Sequence, residues 1–136
     1  MDLLNSIAIA ASGLRAQSGR MRVIAENLAN ADSTATAAGG DPYRRQLVTF
    51  ENVYNRESGA YEVRAGRIRL DQTDFGQRFE PGHPAADTLG YVKTPNVNTL
   101  VEMMDMREAQ RSYEANLNVI ETSRTMAMRT LDLLRA

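Results

Sequence analysis

Two apolar repeats, one at each end of the chain, constrain this sequence more than any other feature. Near the N-terminus, Leu3, Ile7, Ala10, Leu14, Gln17, Met21, Ile24 and Leu28 are separated by alternating steps of four and three, and seven of the eight are apolar. Near the C-terminus, Met103, Met106, Gln110, Tyr113, Leu117, Ile120, Arg124, Ala127, Leu131 and Leu134 follow the same rule, and eight of the ten are apolar. Such spacing gathers apolar side chains on one face of a helix, as in a coiled coil. Two long seams in a chain of 136 residues cannot both face water. The economical arrangement packs them on each other.

The helix limits follow from local chemistry. The first helix is predicted over Leu3 to Asn30, roughly 42 Å at about 1.5 Å per residue. Asp2 is its candidate N-cap. Gly13 and Gly19 lie inside it, each costing about 1 kcal/mol relative to Ala, so they mark breaks or places of close approach. The second helix opens after Thr94-Pro95-Asn96-Val97-Asn98. Asn98 is a good N-cap, and Thr99 with Glu102 offers a competing capping box. No Gly or Pro follows Pro95, so this helix runs to the C-terminus, roughly 55 Å by the same rise. Gln17, Gln110 and Arg124 interrupt the seams, as residues that set register at some cost in stability do.

Between the helices the pattern changes. Residues 31–40 have no period and end in Gly39-Gly40, which reads as a mobile loop. All four prolines lie from Pro42 to Pro95, and seven of the nine glycines from Gly39 to Gly90. Tyr61, Val63 and Ala65 share one parity, and Ile68 with Leu70 takes the other after Gly66. A bulge or hairpin at Gly66 reconciles them. Residues 44–50 form a further strand candidate. The expected fold is mainly α with a small β-rich insertion: long N- and C-terminal helices pair as a coiled-coil-like layer, with the β-rich middle outside. The expected organisation is 1–30 as the N-terminal helix, 31–93 as loop and β-rich region, and 94–136 as the C-terminal helix.

One antiparallel pairing covers only one stripe of each helix. Ala8, Ala11, Gly13 and Ala25 form a second small-residue surface on the first helix. Leu100, Val101, Met104, Val119, Met126 and Leu133 lie off the seam of the second. Helices apolar over much of their circumference are buried in something larger. The residues themselves therefore point to an assembly. The expected interface is Leu3, Ile7, Ala10, Gly13, Leu14, Met21, Ile24 and Leu28 with Met103, Met106, Tyr113, Leu117, Ile120, Ala127, Leu131 and Leu134.

Chemistry is sparse by comparison. The chain has no cysteine, which removes disulfides, thiol catalysis and cysteine-ligated zinc. His83, the single histidine, sits in Glu80-Pro81-Gly82-His83-Pro84 and reads as a solvated turn. No phosphate-binding Gly loop and no nucleophile elbow occur. Catalytic, cofactor and metal residues are therefore expected to be none. Net charge is −1 with both signs evenly spread, which argues against nucleic acid as a partner. Arg44, Arg45, Arg64, Arg67 and Arg69 are offset by Glu57, Glu62, Asp71 and Asp74, as on a salt-bridged β surface. The five methionines Met103, Met104, Met106, Met126 and Met128 suit an adaptable surface or an ordinary seam equally well. No stretch approaches the ~20 apolar residues of a membrane span. The first basic residue is Arg15, so the N-terminus is not an ordinary secretion signal.

Residues 12–17 and 20–33, with Asn27-Leu28-Ala29-Asn30 at their centre, resemble the N-terminal signature of the flagellar axial family of rod and hook proteins. Residues 80–87, then Gly90-Tyr91-Val92-Lys93-Thr94-Pro95-Asn96-Val97-Asn98, resemble a basal-body rod protein of that family, and residues 111–117 resemble its C-terminal helix. Asn27, Leu28, Ala29, Asn30, Gly90, Tyr91, Pro95 and Asn96 carry the match. The resemblance implies a structural subunit of the proximal rod, part of a hollow periplasmic drive shaft and export channel. It implies export by the flagellar type III apparatus without a cleaved signal peptide. Its implied partners are copies of itself and other rod proteins, with no nucleic acid, small-molecule substrate or cofactor. Another proximal-rod protein of the same family, or a free coiled-coil adaptor, is the alternative.

Overall fold

A computed structural model describes residues 3–135. The Asp2 cap falls outside the described residues. The element order is α1 (Leu3–Ala29), β1 (Gln46–Asn55), β2 (Ala60–Leu70), β3 (Gly76–Phe79), β4 (Tyr91–Thr94) and α2 (Thr99–Arg135). The protein is mainly α with a small β insertion of two two-stranded sheets, β1-β2 and β3-β4.

α1 runs unbroken through Gly13 and Gly19. At its end the Asn30 side-chain amide donates to the Glu26 carbonyl at 2.8 Å, and the Asn30 carbonyl accepts from the Ser33 hydroxyl at 2.9 Å. The same carbonyls also accept backbone N–H groups, Glu26 from Asn30 at 3.1 Å and Asn30 from Ser33 at 3.2 Å, so the side chains add second bonds where the helix ends. α2 begins where Asn98 caps it: Oδ1 accepts the Leu100 and Val101 N–H groups at 3.0 and 3.3 Å. Glu102 does not close a box with Thr99. Its carboxylate turns inward to Arg45 and Asn27.

The chain folds as two compact units, and both helices contribute to each. The first gathers the described part of residues 1–21, 49–67 and 107–136; the second gathers 22–48 and 68–106. In the first, a Cβ on Gly13 would meet the Asn116 side chain at 2.8 Å, and Arg20 pairs with Glu108 at 3.6 Å. Seven residues forward on α1 correspond to eight back on α2, so the helices run antiparallel. Continuing that register by the helical rise, Leu3 lies about level with Met126. The last two turns of α2 therefore extend past the described start of α1.

The hairpin of β1 and β2 turns at Arg56-Glu57-Ser58-Gly59, not at Gly66. Gly59 takes a φ of 65° and its N–H closes onto the Asn55 carbonyl at 2.9 Å. Left-handed backbone of this kind suits glycine, whereas Gly66 lies within a continuous β2. The Tyr54 and Tyr61 rings pack edge to face at 5.1 Å, and Asp71 N–H donates to the Arg45 carbonyl at 2.9 Å. From Tyr61 to Asp71 is ten steps; from Tyr54 back to Arg45 is nine. One extra residue on β2 is what a bulge supplies. It accounts for the change of parity past Gly66, whose missing Cβ leaves room for the Thr49 and Glu51 side chains.

In the second unit, β3 and β4 pair antiparallel from Gly76↔Thr94 to Phe79↔Tyr91. The turn between them is built from its own polar groups. Asp87 Oδ1 accepts the Leu89 and Tyr91 N–H groups, each at 2.9 Å. His83 Nδ1 accepts the Ala85 N–H at 3.0 Å. Gly90 has a φ of 85°, and a Cβ there would press on Phe79 and Pro81 at 3.0 Å.

The interior is unusually poor in large side chains. The buried apolar residues are Ala10, Ala16, Val23, Ile24, Ala85, Val92 and Ala109, with Ser12, Asn27, Glu102 and Ser123 buried among them. Leucines, methionines and aromatics, the usual core formers, lie partly or wholly outside.

Candidate assembly interface

The inner face of α2 is set by two columns at seven-residue intervals. Glu102, Ala109 and Ser123 are buried, with Asn116 half-buried; Met106, Tyr113, Ile120 and Ala127 flank them, half-buried. The second column coincides with alternate positions of the apolar repeat. The first lies one residue before the other positions, Met103, Gln110, Leu117 and Arg124. Met103, Leu117 and Leu131 of the expected interface are consequently exposed, Leu131 at 60%, and Leu134, in the second column but beyond the described start of α1, is exposed at 79%. On α1, Ala10 and Ile24 are buried, while Leu3, Ile7, Gly13, Leu14, Met21 and Leu28 are half-buried.

The shift by one residue has a physical cause. Glu102, Ala109, Asn116 and Ser123 are small or can hydrogen-bond, so they tolerate close helix approach. Gly13 provides the opposing space. Asn116 spans it, its Nδ2 donating back to the Ser112 carbonyl at 2.9 Å. Met103, Leu117 and Leu131 are left on the outer side of the chain. Ser12 works in the same way toward the hairpin: its hydroxyl donates to the Ile9 carbonyl at 2.6 Å and accepts the Val63 N–H at 3.1 Å.

Of the asparagines expected from the resemblance, Asn27 and Asn96 sit in a polar cluster of the second unit, while half-buried Asn30 bonds locally at the end of α1. Asn27 is 1% exposed, and its amide is fully engaged. Nδ2 donates to the Gln46 carbonyl at 2.9 Å and to Glu102 Oε2 at 3.0 Å. Oδ1 accepts from the Tyr43 hydroxyl and the Gln46 N–H, each at 2.9 Å. Glu102 Oε1 takes the Arg45 Nε–H at 2.6 Å, and the same guanidinium reaches Asp71 at 3.4 Å and Asp105 at 3.5 Å. Asn96 joins from the other side: Oδ1 accepts the Arg45 N–H at 2.8 Å, and Nδ2 donates to the Asp71 and Thr73 carbonyls, each at 3.1 Å. Of the other matched residues, Gly90 and Pro95 are buried, Leu28 is half-buried, and Ala29 and Tyr91 are exposed.

The electrostatics agree with this geometry. Burial disfavours the charge of Arg45, but hydrogen bonds and attraction from Glu102 and Asp71 outweigh it and hold the guanidinium above its ordinary value. Asp71 is held below the usual carboxylate range, first by the Thr73 backbone N–H and hydroxyl and then by Arg45. Burial, followed by the charges of Glu26 and Glu102, pushes the Tyr43 phenol up. Arg45, Tyr43 and Asp71 carry no sequence signal of this role. The available clue was Asn27 itself, a polar residue three positions after the buried Ile24. Of the arginines expected on a salt-bridged β surface, Arg45 is ion-paired; among the described residues Arg64, Arg67 and Arg69 have no ion pair.

The arrangement joins helix ends and loop. Among the described residues it offers no group of three or more acidic or histidine side chains able to hold a metal ion, and no helix is long and apolar enough to cross a membrane.

Two family models match the chain. One, described as flagella basal body rod protein, covers residues 7–36. The other, described as flagellar basal body rod FlgEFG protein C-terminal, covers residues 88–133. The flagellar basal-body rod protein FlgC of Agrobacterium fabrum is 51% identical, with 100% of this chain and 99% of that protein aligned. This chain belongs to the FlgC family of flagellar basal-body rod proteins. The FlgC protein of Escherichia coli O6:H1 is 44% identical over 98% of each chain. That of Bacillus subtilis is 36% identical over 98% of this chain and 99% of its own.

Membership makes the protein a structural subunit of the flagellar basal-body rod and not an enzyme. It also gives the polar cluster a setting. Asn27 and Asn96 tie the end of α1, residues 43–46 and the segment before α2 to one another.

Proposed function

We propose that this chain polymerises through its two terminal helices, with copies of itself and with other rod proteins, to form part of a hollow periplasmic drive shaft. The exposed apolar residues of α2 carry the reading. Met103, Leu117, Leu131 and Leu134 are exposed although they continue a helical apolar period, and a lone chain gains nothing from such a pattern. Leu3, Ile7, Ala10, Gly13, Leu14, Met21, Ile24 and Leu28 on α1, with Met106, Tyr113, Ile120 and Ala127 on α2, supply the inner packing on which the assembly surface rests. Export proceeds through the flagellar type III apparatus with no cleaved signal peptide.

The test is a basal body imaged with this chain traced in it. The outer faces of α1 and α2 should lie against helices of other subunits. A traced rod in which Leu117 and Leu131 face water would overturn the reading.

A further inference from the structure

In the first unit, α1 and the hairpin enclose an open groove of about 630 Å³. Its charged lining is Arg15, Arg56, Glu57, Glu62 and Arg64, with Tyr54 on its wall. The two signs are not equally available. Glu62 Oε1 already accepts from Asn55 Nδ2 at 2.8 Å and from the Ser58 hydroxyl at 3.0 Å. Its Oε2 reaches Arg15 only at 4.0 Å, and the Arg15 side chain is 71% exposed. Among the described residues Arg56 and Arg64 have no ion pair. Glu57 stands at the turn. The groove therefore presents more uncommitted positive than negative charge, beside a tyrosine that combines apolar area with a polar tip.

The same chain carries a surface of opposite character. Glu114, Leu117 and Glu121 lie on the exposed side of α2 at steps of three and four, so they share a face. Among the described residues neither glutamate has an ion pair. The exposed leucine lies between them. Arg111 and Arg124 stand one turn beyond each end, leaving the two turns between the glutamates purely acidic.

We propose that the groove of one copy receives the Glu114-Leu117-Glu121 face of a second copy of this chain, with Arg56 and Arg64 meeting the glutamates and Leu117 lying against Tyr54. The surfaces differ, so the contact is heterologous and each copy offers one of each. Repeated, such a contact forms a ring or an open helix. The inference rests on the polymerisation reading and names one self-contact within it. Complementary charge fixes partner and register across such a contact.

The absence of cysteine from the chain makes disulfide trapping clean. Cells would carry two versions together, one with Arg64→Cys and one with Glu121→Cys, and be treated with a mild oxidant. Mixed dimers are expected when both versions are present, and none from either alone. Motile cells with no mixed dimer would overturn the contact while leaving polymerisation through the terminal helices intact.

A charge exchange covers the case in which the cysteine versions do not assemble. Arg56→Glu with Arg64→Glu should abolish swarming, and adding Glu114→Arg with Glu121→Arg should restore at least half of it. Normal swarming in the first variant, or no recovery in the second with the protein folded by circular dichroism, counts against the contact.

Discussion

Asn27 Nδ2 donates to Glu102 Oε2 at 3.0 Å, joining the end of α1 to the start of α2 across 75 positions, with both side chains 1% exposed. The bond is one of four made by a single amide. Asn27→Ala would strip partners from the Gln46 N–H, the Tyr43 hydroxyl and a buried carboxylate. A buried group left without a partner costs about 1–3 kcal/mol. The expected loss is about 3 kcal/mol or more, read as a lower urea midpoint for the second unit. Asn27→Asp should be no milder, since it removes the donor to Glu102 and adds a like charge. A shift below about 1 kcal/mol in both variants would show that water replaces these bonds.

Gly13 makes a graded prediction. A Cβ there would lie 2.8 Å from Asn116 Nδ2, the movable end of a side chain. Gly13→Ala should let Asn116 swing away, losing its bond to the Ser112 carbonyl and gaining about 1 kcal/mol of helix propensity. The net change should be small. Gly13→Leu has no such escape and should cost about 1–3 kcal/mol by overpacking. In cells it should block rod assembly while export continues, measured as secreted protein without hooks. Rods built normally by Gly13→Leu would show that the helices have slack at this point.

Acid should loosen the polar cluster. Asp71 is held below its ordinary 3.8 by the Thr73 backbone and hydroxyl and by Arg45. A depressed carboxylate contributes stability that is fully present above the ordinary value and disappears as pH falls through the lower, folded-state value. The window therefore opens near pH 4 and extends below it. Tyr43 acts at the other extreme. Its raised phenol contributes below about pH 10, its ordinary value being 10.0, and loses that contribution as pH rises further. Unfolding free energies followed from pH 6 to pH 2 should fall less steeply in Asp71→Asn than in the parent. Equal slopes would assign the acid sensitivity to other carboxylates.

What the sequence reveals here is periodicity and punctuation. Asn98 before the second apolar repeat marks the start of α2, and the repeats mark two long helices. The inward face is harder to read. The period fits two columns one residue apart, and choosing the more apolar one selects Met103 and Leu117 over Glu102 and Asn116. That choice assumes that the chain buries its own apolar side chains. In this protein the tightest packing goes to small and hydrogen-bonding residues. The turn of the first hairpin was masked for a related reason: Gly66 is the conspicuous glycine, but Gly59 holds the left-handed turn. The cluster around Arg45 joins residues far apart in sequence, and no local pattern reports such a meeting.

The end of α2 carries the sharpest test of assembly. Leu131 and Leu134 keep the apolar repeat going where α2 extends past the described start of α1, and both are largely exposed. An apolar period maintained on an exposed helix surface points to a partner. Burying one leucine contributes about 1.5–3 kcal/mol, and losing two at each contact multiplies along a polymer. Leu131→Asp with Leu134→Asp goes further, because it puts two charges where an apolar surface must close. Neither leucine is packed in the chain itself, so the variant should fold and be exported as the parent is. Cells carrying it should build no rod beyond this subunit, and hence no hook or filament, by electron microscopy of purified basal bodies. Arg135→Ala alters the same turn without touching the apolar column and should leave flagella unchanged. Normal flagella in the double aspartate variant would mean that this end of α2 is a free tail, and that the contacts holding the subunit in the rod lie elsewhere on the helices.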